Sequence, residues 1–138
     1  MRILALSPWA DLEAKARPFA AEPHAVLRTP ETGLVMLRGR ISGDGTAFNL
    51  GEATVTRCSV QTAAGHEGHA YVLGRNHRHA HTAALLDGLM QDETRSQTIA
   101  TQVIEPLERR IADRCEKAAR QAAATRVEFF TLVRGEND

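Results

Sequence analysis

The sequence has 138 residues, 43% hydrophobic and 25% charged, which suits one domain with a modest core and excludes a disordered or fibrous chain. Seventeen basic and seventeen acidic side chains cancel, so no net field favours nucleic acid or an anionic membrane, and any affinity for anions must be local. No apolar window is long enough for a membrane-spanning helix, and Cys58 and Cys115 lack a CxxC or zinc-type spacing, so a reduced, cytoplasmic chain is expected.

The run "ILAL" at residues 3–6 reads as the stub of a helix, and it is too short for a signal peptide. "SPWADLEAKARPF" follows as a helix. Ser7 is expected to cap it, Pro8 to take its first position, and Asp11 and Glu13 to sit in the favourable first turns. Pro18 and Pro23 bound it.

The middle of the chain changes period. "HAVLRTPETGLVMLRGRI" holds two short β-type runs broken by "TPETG", and "SGDGTAFNLGE" reads as a Gly-rich connection. In "ATVTRCSVQT", Thr54, Thr56, Cys58 and Val60 alternate with Val55, Arg57 and Ser59, as in a strand with two unlike faces. "AAGHEG" is a turn, and "HAYVLG" can return as a hairpin strand. The whole predicts an α+β fold: a small, mostly antiparallel sheet of about four strands packed with N-terminal and C-terminal helices, in a single domain over residues 1–138.

From residue 77 the period is helical. "HAHTAALLDGLMQ" and "ETRSQTIATQVIE" are two helices, and Pro106 opens a third, "PLERRIADRCEKAARQAAA". Glu105–Arg109, Asp113–Lys117 and Glu116–Arg120 are spaced as solvated ion pairs along it. The tail crowds Val127, Phe129, Phe130, Leu132 and Val133 together. Such a segment is either buried core or a docking segment for another chain.

"LGRNHRHAHTAALLDGLM" carries the candidate chemistry. On a helix beginning near Asn76, His79 shares a face with Ala83, Leu86 and Met90, while His77 and His81 are neighbours on roughly the opposite face. One helix cannot bring all three to one ion, zinc wants about four ligands, and "GHEGH" at 65–69 is not a zincin motif, so no metal site is expected. An anion reading fits better. A strand, Gly74, Arg75 and a helix start offer backbone N–H groups and bidentate donors, with His79 able to give a proton. Against it stands the plain alternative that Arg75 pairs with a carboxylate and His79 is a satisfied, partly buried histidine. "GDG" at 43–45 lacks the Lys-Ser/Thr of a phosphate loop.

The stretches "ETGLVMLRGR", "GEATVTRCSV", "YVLGRNHRHAHTAALLDGLMQ", "VIEPL" and "ATRVEFFTLVRGEND", in this order, resemble the PhnG family, the G subunits of the bacterial carbon–phosphorus lyase core complex. The resemblance implies a subunit acting with the PhnH, PhnI and PhnL proteins. Together they transfer ribose 5-triphosphate from MgATP to a phosphonate and release adenine, as an alpha-D-ribose 1-methylphosphonate 5-triphosphate synthase in phosphonate catabolism. PhnJ, the radical iron–sulfur subunit, joins the core and cleaves the carbon–phosphorus bond later. The chain itself is expected to hold no cofactor, to be inactive in isolation and to share a site or serve as scaffold. The family pattern G-R-x-x-x-H-A falls on Gly74, Arg75, His79 and Ala80, which leaves Arg75 and His79 as anion-binding or shared-site candidates, with no catalytic residue assigned. Phe129, Phe130, Leu132 and Val133 are the partner-interface candidates, a surface open to self-association when the chain is alone. The competing reading is a free-standing anion- or metal-binding module built on His77, His79 and His81.

Overall fold

The computed structural model describes residues 1–40 and 44–125. In chain order these form α1 (Arg2–Leu6), α2 (Trp9–Ala16), a 3₁₀ turn (Arg17–Phe19), β1 (His24–Arg40), β2 (Ala47–Thr62), β3 (Glu67–Leu73), α3 (His77–Leu89), α4 (Glu93–Ile99), a π-helical turn (Ala100–Ile104) and α5 (Glu105–Ala124). The α+β class is as expected. Phe129, Phe130, Leu132 and Val133 lie outside the described residues.

Ser7 does not cap α2. A residue before proline is pushed out of the helical region, so Ser7 is extended and ends α1 instead, its hydroxyl donating to the Ile3 carbonyl at 2.7 Å. Pro8 takes the capping position and Trp9 starts α2.

Among the described residues the sheet has three strands in the order β1-β2-β3, all antiparallel, rather than about four. The two runs expected on either side of "TPETG" are one strand of 17 residues. The break survives only as register irregularities between Val26 and Arg28 and between Arg28 and Glu31. Pro30 has no N–H to give to a ladder, yet β1 is an outer strand and the proline falls at the irregularity, where it is tolerated. The expected connection at 42–52 likewise becomes strand from Ala47 on, because Arg40 pairs with Ala47 and the hairpin ladder overrides the local glycine signal.

β3 pairs only with Val55–Gln61 of β2. Beyond Gly33↔Val55, therefore, Leu34–Arg40 and Ala47–Thr54 pair with one another alone as a two-stranded arm. Side chains alternate across a strand, yet Leu34 and Met36 on one face and Val35 and Leu37 on the other are all exposed, as are Phe48 and Leu50 opposite them.

The rest of the sheet has one covered face. Thr56, Cys58, Val60 and Thr62 of β2 and Gly68, Ala70 and Val72 of β3 are buried, while Tyr71 and Leu73 point the other way and stay exposed. α3 lies on the covered face with Ala80, Ala83, Ala84, Leu85, Leu86 and Leu89 inward. Small residues let it come close: a Cβ on Gly68 would overlap the Ala84 carbonyl and lie 2.9 Å from the Gly88 Cα. Leu4 of α1, Leu12 of α2 and Phe19 complete one side of the core, and Ile99, Val103 and Leu107 the other. These last three are spaced four and four, which suits the wider π turn, where the Glu105 N–H reaches back to Ala100. Each large aliphatic residue so buried contributes about 1.5–3 kcal/mol.

α5 touches the body mainly at its start. Leu107 is buried, and Arg110 and Arg114 hold α1 and α2 through Asp11 and the Leu6 carbonyl, the latter at 3.2 Å. The expected Glu105–Arg109 and Glu116–Arg120 pairs form at 3.6 and 3.5 Å, exposed and thus worth a few tenths of a kcal/mol each. No helix among the described residues is long and apolar enough to cross a membrane.

Candidate functional site

The histidine run lies where β3 hands over to α3. Gly74 makes the turn at φ +94°, a conformation that favours glycine. Asn76 caps the helix, its side chain accepting from the His79 N–H at 3.0 Å. One of the N–H groups that an anion would use is thereby already paired.

The three histidines then go three ways: His79 lies on its own face, as the helical spacing predicts, but the expected His77/His81 pair is split between different partners. His79 turns inward and is 5% exposed. Its Nε2 meets the Leu4 carbonyl at 2.8 Å, and its ring stacks at a tilt 5.9 Å from Trp9. It ties α3 to α1.

His77 faces β1, with Nε2 3.0 Å from Thr32 Oγ1. Thr32 Oγ1 in turn lies 3.2 Å from Thr56 Oγ1, and Thr56 donates to the Gly74 carbonyl at 2.7 Å. A hydroxyl has one proton. Thr56 gives its proton to Gly74, so Thr32 must donate to Thr56 and His77 must donate to Thr32. The chain of bonds thus assigns the proton of His77 to Nε2.

His81 meets a histidine that the helical spacing could not reveal. His24, at the start of β1, places its Nε2 3.1 Å from that of His81. The rings are tilted, with centroids 5.0 Å apart. His24 Nδ1 lies 2.7 Å from the Glu22 carbonyl, which can only accept, so the proton sits on Nδ1 and Nε2 of the neutral ring is a lone pair. Burial, and then the neighbouring His24, push the His81 pKa down.

Beside these rings a cleft of about 530 Å³ opens between α2, β1 and the start of α3, lined by Trp9, Glu13, Arg17, His77, Arg78 and His81 among others. Arg78 lies 5.6 Å over the Trp9 ring and pairs with Glu13 at 3.1 Å, so its charge is already met. Neither of the two sequence candidates lines this cleft: His79 is behind it in the core, and Arg75 stands exposed on the turn, with no ion pair among the described residues. The fold does not put Arg75 and His79 in one pocket.

Several other polar groups have structural partners. His69 Nδ1 lies 2.9 Å from the Ser59 hydroxyl, and the His66 N–H donates to Thr62 Oγ1 at 3.2 Å. Cys58 is buried, and burial raises its thiol pKa. Hydrogen bonds from Thr94 lower the Asp92 pKa where that residue caps α4. Arg28 and Arg57 hold the exposed Glu31 carboxylate at 2.7 and 2.6 Å and lower its pKa. Among the described residues no group of three His, Cys, Asp or Glu side chains is placed to hold a metal ion.

Sequence comparison matches residues 1–135 to the family described as "Phosphonate metabolism protein PhnG". A protein of Rhizobium meliloti (strain 1021), the "Alpha-D-ribose 1-methylphosphonate 5-triphosphate synthase subunit PhnG", is 41% identical over 142 residues, spanning 99% of this chain and 88% of that protein.

Proposed function

The chain belongs to the PhnG family of phosphonate metabolism proteins, and on that premise we propose that it is the G subunit of an alpha-D-ribose 1-methylphosphonate 5-triphosphate synthase. In this reading it assembles with PhnH-, PhnI- and PhnJ-type subunits and, with a PhnL protein, takes part in moving ribose 5-triphosphate from MgATP to a phosphonate, adenine leaving. It contributes contact surface rather than a complete active site.

The carrying observation is the β1–β2 arm. A two-stranded ribbon is marginal in water by itself, and this one shows large apolar side chains on both faces, with Leu34 and Leu50 each 64% exposed. That is the composition of a strand pair buried on both sides, and obligate interfaces resemble such a core cut in two. The described residues hold no phosphate loop and no metal-binding group of three, while the transfer needs stabilisation for a triphosphate, its magnesium and a cationic ribose. A share in a larger site fits that demand. Arg75, exposed and without an ion pair among the described residues, is one side chain available to such a site.

The test is co-expression with the neighbouring subunits followed by native mass spectrometry. A defined complex containing the PhnI-type subunit, releasing adenine from MgATP and methylphosphonate only when this chain is present, is the expected result. A stable lone monomer that never enters the complex would overturn the reading and favour a free-standing anion- or metal-binding module.

A further inference from the structure

We propose that His24 and His81 form a two-histidine site for a borderline divalent transition-metal ion such as zinc, nickel or copper. Their Nε2 atoms converge from different elements to 3.1 Å. Nitrogens ~2.0–2.1 Å from one ion stand ~2.9–3.4 Å apart between square-planar and tetrahedral geometry, so the separation already suits a shared ion, and each ring has only to tilt to turn its Nε2 lone pair off the N–N line and onto the metal.

The surroundings support the same assignment. Histidine ligands are commonly oriented by a backbone carbonyl on the far ring nitrogen, which fixes the ligating tautomer. His24 has that arrangement, with Nδ1 on the Glu22 carbonyl at 2.7 Å, and its Nε2 lone pair already points at His81. Strand pairing of His24 with Thr62 anchors its backbone, and His81 sits inside α3. Both rings are partly buried. The ion replaces the hydrogen bond between them: His81 moves its proton from Nε2 to Nδ1 through solvent, and both Nε2 lone pairs bind. Two imidazole nitrogens favour borderline ions over magnesium or calcium, which prefer oxygen. His81 also lines the cleft beside Trp9 and Arg17, and water or an anionic oxygen fills the remaining coordination positions. With only two protein ligands, binding is exchangeable rather than structural.

The expectation of no metal rests on spacing within α3, where the visible pair is His77 and His81. The fold splits that pair. His77 keeps its proton on Nε2 in the Thr32–Thr56–Gly74 chain, and His81 finds its partner 57 residues away.

The experiment titrates zinc chloride and nickel chloride into the full chain without a histidine tag, followed by calorimetry. A single ion is expected to bind, with affinity falling at least about tenfold in His24→Ala and in His81→Ala and unchanged in His77→Ala. Long-range nitrogen–proton spectra of the wild-type imidazoles give a readout that no variant can spoil by misfolding: zinc should shift the ring nitrogens of His24 and His81 together. Absence of binding by the wild type overturns the proposal. So does binding that survives His24→Ala, binding lost in His77→Ala but kept in His24→Ala, or a spectrum in which other histidines move instead.

Discussion

His79 and His81 are two residues apart on one helix, yet one is a buried tie and the other a half-buried edge, because two steps of about 100° turn them away from each other. Removing the His79 ring leaves the Leu4 carbonyl unpaired in the core and opens a cavity beside Trp9. His79→Ala should therefore cost about 2–4 kcal/mol of stability, while Arg75→Ala should stay within about 0.5 kcal/mol. In the assembled complex the roles reverse: Arg75→Ala should slow adenine release with assembly intact. Thermal melts and an adenine assay on both variants decide this, and a destabilised Arg75→Ala with a stable His79→Ala would refute the division. The helical faces of the three histidines were legible from spacing. Their partners were not, since Leu4 lies 75 residues from His79 and His24 lies 57 from His81, and no local pattern encodes such a meeting.

At the scale of elements, the contact between α3 and β3 depends on two glycines. Gly68 reads locally as part of a turn, and Gly88 as a blemish in a helix. Together they let helix backbone approach strand backbone, so that a Cβ on Gly88 would stand 3.2 Å from the Gly68 nitrogen. Gly68→Ala would push α3 off the sheet. A loss of about 3 kcal/mol or more is expected, against about 1 kcal/mol or less for alanine at Gly33, where nothing lies within 4 Å. Chemical denaturation measures both, and equal losses would show that the close approach is not what matters. The alternation of "ATVTRCSVQT" and "HAYVLG" predicted these strands because one face is buried and the other is not. The longer β1 looks like two runs in the sequence, since Pro30 and the residues at the register irregularities imitate a turn when the ladder partner is unknown.

At the scale of the molecule, a body with a single core carries two extensions, the hairpin arm and the far end of α5. Stability resides in the body. Replacing Leu34 and Leu50 by aspartate should therefore change the folding free energy by less than about 1 kcal/mol, yet weaken capture of the partner subunits about tenfold or more. A melt and a pull-down on the same double variant separate the two effects, and retention of the complex would move the interface elsewhere. The α+β class and the helices among the described residues were legible from period, although the cap expected at Ser7 belongs to the end of α1 rather than to the start of α2. The arm was not, because its exposed apolar residues look like core to any reading that assumes a self-sufficient chain.

The seat of α1 carries a consequence for the order of events during synthesis. Arg114 meets the Leu6 carbonyl across 108 residues of sequence, so α1 emerges from the ribosome long before α5 exists to hold it. The β1–β2 hairpin can close at once, its strands being adjacent in the chain, but the core around Leu4 and Leu107 must wait until α5 has been made. For that interval the nascent chain displays both an unseated helix and a two-faced apolar ribbon, the kind of surface that chaperones recognise. Making the partner subunits from the same message would shorten that exposure, by placing the arm's acceptor within reach as the arm appears.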